Sequence, residues 1–342
     1  MLFFLAAIAV LLIAGFIYQQ VGEARDARRF PPRGRLVEVN GSRYHVHESG
    51  SGEPAVVLES GIAASSLSWS LVQPEIAKLT RVVSYDRAGL GWSDPPRRKR
   101  TAAAMLEELR AVLRAADVVP PYVLVGHSFG GLIALLHAQR YPEELSGLVL
   151  VDPVWRGEWS PLGREQRRTL RGAAFLARWG ALLARFGFVR LNLALLAGGG
   201  RRVPQLAARM TAGPGASMVD RLVGQVRKLP AEVWPMISAH WCNPKSFESM
   251  ADHLDALAAS IGEFRRDTTL GDLPMIVISG AHLGDAAQRE HEQDARLSTR
   301  GRRVIAPGGG HWVQLDEPDI VVYAIREIVE AARRNLSPEH RA

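Results

Sequence analysis

From about residue 36 to residue 151 the chain alternates short apolar runs with amphipathic stretches, and few folds accommodate that rhythm. Leu36-Val37-Glu38-Val39 and Arg43-Tyr44-His45-Val46-His47 flank Asn40-Gly41. That pair suits the positive φ angles of a tight hairpin. Residues 55–58, 81–85, 122–125 and 148–151 read as buried strands. Residues 69–79, 101–116 and 129–140 read as helices, the last one stopped by Pro142. Strands resume at 275–279 and 303–305, and an amphipathic helix covers about 317–334. Such alternation predicts an α/β fold, a mostly parallel sheet with helices on both faces.

Residues 153–272 break the rhythm. They read as helical, with Gly/Pro breaks at 198–204, 213–215 and 230. An all-helical insertion between two sheet strands predicts a cap over the strand ends. The expected organisation is a membrane segment at 1–20, a linker at 21–35, an α/β core at 36–152 and 273–335, and a cap at 153–272. A chain of 342 residues, 47% apolar, suits one large domain with an insertion. Its only cysteine, Cys242, excludes an intrachain disulfide and a cysteine-based zinc site.

Residues 2–18 (LFFLAAIAVLLIAGFIY) carry no charge. As a helix they span about 26 Å, the low end of what crosses a bilayer. A retained anchor is expected. A signal peptide is the rival, with Gly22 and Ala24 as a weak cleavage site and secretion as the consequence, but the basic residues that should precede the apolar run are missing. Arg25, Arg28, Arg29, Arg33 and Arg35 follow the segment and pull its C-terminal side toward the cytoplasm. The net charge of +7 comes with no nucleic-acid-binding motif, so no nucleic-acid partner is expected.

Gly126-His127-Ser128-Phe129-Gly130 follows an apolar strand and opens a helix. A serine on such a strained strand–turn–helix projects above the sheet, and the small residues let the backbone pass its neighbours. The helix dipole favours negative charge there. Serine needs a general base. His311, in Gly308-Gly309-Gly310-His311-Trp312 after the last strand, is the best placed. His45 and His47 belong to the first hairpin, His137 and His291 to helices, and His240 and His253 to the cap. His282 lies too near the acid loop. The acid that orients the imidazole is expected at Asp285, in Gly280-Ala281-His282-Leu283-Gly284-Asp285, with Asp152 at the end of its strand as the alternative and Glu290 and Asp294 as outsiders on the following helix. Oxyanion donors are expected at the backbone N–H of Phe129 and of Ile62, the latter in Glu59-Ser60-Gly61-Ile62, with Gly61 and Ser60 as the neighbouring alternatives.

Taken with Tyr85-Asp86-Arg87-Ala88-Gly89-Leu90-Gly91-Trp92-Ser93, Leu150-Val151-Asp152-Pro153 and Gly310-His311, these motifs make residues 36–334 resemble the α/β-hydrolase superfamily, in its lid-bearing, esterase-like branch. The resemblance implies an eight-stranded sheet with a helical cap between the sixth and seventh strands. Ser128 departs from the aspartate nucleophile of epoxide hydrolases and dehalogenases, and Ser60-Gly61 replaces the usual His-Gly of the oxyanion loop. Asp86 and Arg87 read as braces for the turn after their strand.

Arg164, Arg171, Arg178 and Arg185 recur every seven residues and share one side of a helix. Two readings stand: a cap helix on an anionic membrane surface, or a solvated face. The expected activity is a membrane-anchored carboxylic ester hydrolase acting through an acyl-enzyme on a small-molecule or lipid-like ester, with neither cofactor nor metal. An amide, lactone or C–C bond hydrolase on the same residues is the alternative, and a non-catalytic binding protein of this fold the third. Trp234, His240, Trp241 and Met250 are the candidate cap lining.

Overall fold

The computed structural model describes residues 1–197, 225–265 and 267–336. Eight strands form one sheet: β1 Arg35–Val39, β2 Ser42–Ser49, β3 Val56–Glu59, β4 Val82–Tyr85, β5 Tyr122–His127, β6 Leu145–Val151, β7 Met275–Gly280 and β8 Gly301–Ala306. Their order is β1-β2-β4-β3-β5-β6-β7-β8. Only β2 runs against its neighbours, through the hairpin at Asn40-Gly41, where both residues have positive φ. The other pairings are parallel, and β3 to β7 are buried along almost their whole length.

Helices cover both faces. α1 is Leu2–Arg29, α2 Gln73–Ile76, α3 Ala102–Ala115 and α4 Phe129–Arg140. α5 (Arg156–Trp159), α6 (Arg164–Arg185), α7 (Phe188–Ala197), α8 (Trp234–Trp241) and α9 (Pro244–Gly262) lie between β6 and β7. α10 (Asp285–Ala295), α11 (Val313–Asp316) and α12 (Pro318–Leu336) complete the described set. α3 buries Leu106, Leu109, Val112 and Leu113 on one face, and Thr101 caps its first turn by accepting from the Ala104 N–H. One core layer joins α3 and α4 to the sheet, and another joins α12 to the opposite face.

Two expectations need correction. The helix read at 69–79 is a 3₁₀ turn, Ser66–Trp69, followed by the single turn α2, because Pro74 supplies no amide hydrogen. The segment read as a linker at 21–35 is helical to Arg29. Glu23-Ala24-Arg25-Asp26-Ala27-Arg28-Arg29 contains good helix formers and no glycine or proline. α1 is thus one rod, long and apolar enough to serve as a membrane span or a signal sequence. The Gly/Pro breaks expected at 198–204 and 213–215 lie outside the described residues.

Candidate active site

Ser128 ends β5 and precedes α4 with φ 54° and ψ −118°, a strained conformation for a residue with a side chain. Its neighbours must be small. A Cβ on Gly126 would stand 2.4 Å from the Gly130 carbonyl, and one on Gly130 would stand 2.5 Å from that of Glu59. The strain is held by parallel strands on both sides of β5 and by the Ser128 N–H, which donates to the Val151 carbonyl at 3.0 Å.

Ser128 Oγ lies 2.9 Å from His311 Nε2, and His311 Nδ1 lies 2.7 Å from Asp152 Oδ2. The carboxylate can only accept, so Nδ1 carries the imidazole hydrogen and Nε2 is free to accept from the serine. Asp152 accepts a second hydrogen bond, from the Gly280 N–H at 2.9 Å. Burial by itself would raise the Asp152 carboxyl. The hydrogen bond and charge of His311 and the Gly280 amide outweigh it and hold the group below its ordinary range.

The carboxylate hydrogen-bonded to His311 is therefore that of the alternative, Asp152, and not that of the expected Asp285. Asp285 is exposed in the first turn of α10, where its charge favours the helix N-terminus, and it makes no hydrogen bond to His311. Strand order explains the outcome. β6 lies directly beside β5 with His127 opposite Val151, so Ser128 and Asp152 are the next residues on adjacent strands. Asp152 also has a positive φ, 44°. Glu290 and Asp294, on the same helix as Asp285, instead tether the start of the helical insertion. Glu290 accepts from the Arg156 and Gly157 amides, and Asp294 pairs with the buried Arg156 guanidinium.

His127, not singled out from the sequence, supports His311 from below. It is buried, and its Nε2–H donates to the His311 carbonyl at 2.8 Å. Burial, helped by the neighbouring His311, pushes the His127 imidazole down to about 3, so it stays neutral. Asp86 and Arg87 do brace, with a consequence for the site. Asp86 accepts from the Ser66 and Trp92 amides and sits 2.8 Å from His45 Nδ1. Arg87 pairs with buried Glu59 at 2.6 Å and donates to the carbonyls of Ser60 and Gly61. It thereby clamps the loop expected to supply an oxyanion donor. That loop passes close to the serine: a Cβ added at Gly61 would lie 3.3 Å from Ser128 Cβ.

Asp152, His282 and His311 offer ligand atoms within 4.8 Å of one another. Both ring nitrogens of His311 already face Ser128 and Asp152, so a metal ion there would have to break that chain. Beside His311, Trp312 belongs to an apolar cluster that includes Trp92, Trp241, Ile237 and Phe30. Of the other expected lining residues, His240 meets the Trp92 ring edge-on at 4.5 Å and Met250 packs toward Ala174 and Ala177 of α6. Trp234 is partly exposed and donates to the Leu229 carbonyl at 2.8 Å.

Residues 54–318 match the family model described as alpha/beta hydrolase fold. The chain belongs to that family. This hydrolase-fold chain is similar to uncharacterized protein YqjL of Bacillus subtilis (strain 168), 40% identical over 116 residues, 34% of this chain and 46% of that one. It is also similar to 2-hydroxymuconate semialdehyde hydrolase of Pseudomonas sp. (strain CF600), 35% identical over 162 residues, 42% of this chain and 56% of that one. The match thus spans about half the length of these curated relatives. Among solved structures, a thermophilic esterase from Thermogutta terrifontis superposes with a TM-score of 0.55 at 21% identity, covering 87% of this chain and 98% of that one. That likeness is one of fold.

Proposed function

We propose that this hydrolase-fold chain cleaves carboxylic esters through an acyl-enzyme on Ser128. The observation that carries the reading is the unbroken hydrogen-bonded chain from Ser128 Oγ through His311 to Asp152. His311 takes the serine proton as Ser128 Oγ attacks the acyl carbonyl, then delivers it to the leaving alcohol. Asp152 holds the tautomer and stabilises the imidazolium. The N–H groups of Phe129 and Ile62 receive the oxyanion, with the Arg87 clamp fixing the Ile62 loop. Water, activated by the same histidine, then releases the acid. The helices between β6 and β7 act as a cap, and residues 2–18 of α1 hold the enzyme in a membrane. The substrate is a small-molecule or lipid-like ester.

A panel of p-nitrophenyl esters of increasing acyl length tests the substrate class. Turnover that is abolished by Ser128→Ala supports the reading. Absence of turnover on every ester, with hydrolysis of lactones or amides instead, moves the assignment to those bonds.

A further inference from the structure

α1 does not hang from the fold as a tether. Its C-terminal half is locked to the helical insertion at the elbow between α6 and α7, two helices that meet at 83°. Gly15 passes so close to this elbow that a Cβ there would stand 2.4 Å from the Phe186 carbonyl, and Gly187, with φ +75°, lies against Tyr18. Gln19 is fully buried. It donates to the Cys242 carbonyl at 2.7 Å and accepts from Arg190 Nε at 3.1 Å. Arg190 also pairs with Asp26 at 2.6 Å. Residues 3–14 stand clear of the fold. The apolar stretch of α1 therefore ends level with the elbow.

The surface on either side of that elbow is apolar. α6 buries Leu170, Ala174, Ala177, Ala181 and Ala184, which face α9. At a helical 100° per residue, the opposite side carries Phe175, Leu176, Trp179 and Leu183, with Phe175 59% and Trp179 48% exposed. α7 adds exposed Phe188 and Leu191. An exposed apolar face of this extent marks an interaction surface. Of the heptad arginines, Arg164 and Arg171 border its N-terminal end beside Phe175. Arg178 and Arg185 lie on its flank and pair with Asp255 and Glu248 of α9. Exposed Arg164, Arg167, Arg168 and Arg171 gather at the far end of α6.

We propose that the outer face of α6 and α7 lies in the interfacial layer of the same bilayer that α1 crosses. Continuity selects this occupant. A span fixed at Gly15–Gly187 leaves the apolar face on the rim of the membrane that the span enters, with the aromatic rings of Phe175 and Trp179 at the depth such rings prefer. The four free-end arginines then meet lipid phosphates. The apolar face, not the arginine repeat, makes the principal contact.

This rests on α1 spanning the membrane, and the test separates the two. The full chain, carrying Cys242→Ser, is labelled with an environment-sensitive fluorophore at Trp179→Cys, Leu183→Cys, Ile8→Cys or, as a control on the exposed outer side of α12, Tyr323→Cys. Each protein is reconstituted into phosphatidylcholine–phosphatidylglycerol vesicles containing doxyl lipid. The expected result is loss of most fluorescence at 8, 179 and 183, and none at 323. Quenching at 8 with none at 179 and 183 overturns the docking while leaving the anchor standing. No quenching at 8 overturns both. Emission at 179 that is shielded from water yet unquenched, with a doubled mass in detergent, assigns the face to a second copy and also overturns the proposal.

Discussion

Oδ2 of Asp152, the first residue past β6, lies 2.7 Å from Nδ1 of His311, which the Gly308-Gly309-Gly310 loop carries beyond β8. Two residues 159 positions apart meet because β7 lies between their strands and both chains leave the same end of the sheet. Asp152→Asn keeps the shape but presents the wrong hydrogen to the imidazole. It is expected to lower kcat on p-nitrophenyl butyrate by about 10⁴-fold. Asp285→Asn is expected to leave kcat within about twofold, as surface changes away from a site usually do. The reverse ranking would return the acid to the loop after β7.

Arg87 and Glu59 form a buried ion pair whose guanidinium also holds the carbonyls of Ser60 and Gly61. Arg87→Met leaves Glu59 buried without its partner and is expected to cost about 3–5 kcal/mol, read from urea unfolding. The double variant Arg87→Met with Glu59→Gln is expected to recover part of the stability. Because the loop clamp stays lost, kcat remains low.

Gly130→Ala places a methyl group 2.5 Å from the Glu59 carbonyl, where only backbone could yield. Poor folding or loss of activity is expected, with a stability loss of about 1–3 kcal/mol or more from overpacking. Gly172→Ala, where nothing lies within 4 Å of the added methyl, serves as the control. It is expected to be neutral or slightly stabilising, by up to about 1 kcal/mol, in its helix.

Burial pushes the His127 imidazole down to about 3 and that of His240 to about 4, and drives His253 well below its ordinary range. Each group binds its proton more readily in the unfolded chain, so its stabilising effect is full above about pH 6.5 and is lost as pH falls toward the folded value. The urea midpoint is expected to hold between pH 8 and 7 and to fall steadily from pH 6.5 to 4. His253 stacks on Phe129 at 6.0 Å with neither ring nitrogen hydrogen-bonded among the described residues. His253→Phe is expected to keep or raise stability at pH 7 and to flatten the acid limb. An unchanged slope would contradict this.

The sheet was readable because periodicity reports burial. Strand centres, the hairpin and α4 follow from local pattern, and Ser128 follows from the two glycines that its turn demands. The place of His311 beside Ser128 is legible because three consecutive glycines mark an unusual loop after the last strand. That Asp152 and not Asp285 faces His311 is not legible in the sequence, because chain order does not reveal strand order: the register of His127 opposite Val151 sets Asp152 beside Ser128, and no local pattern encodes it. The Arg87 clamp and the His127 support depend on contacts across the sheet, so the sequence showed the residues without their partners. The arginine repeat marks α6 in the sequence, yet two of its members, Arg178 and Arg185, pair with acids of α9 that no local pattern reveals.

The central claim is that Ser128 is the nucleophile, and covalent trapping reads it directly. The full chain in detergent is treated with a fluorophosphonate and digested, and the modified peptide is sequenced by mass spectrometry. The phosphonate is expected on Ser128, in the peptide containing Gly126-His127-Ser128-Phe129-Gly130, and no labelling is expected for Ser128→Ala or for His311→Ala. Labelling that persists in Ser128→Ala, or a folded wild-type protein that takes up no probe, would contradict the account.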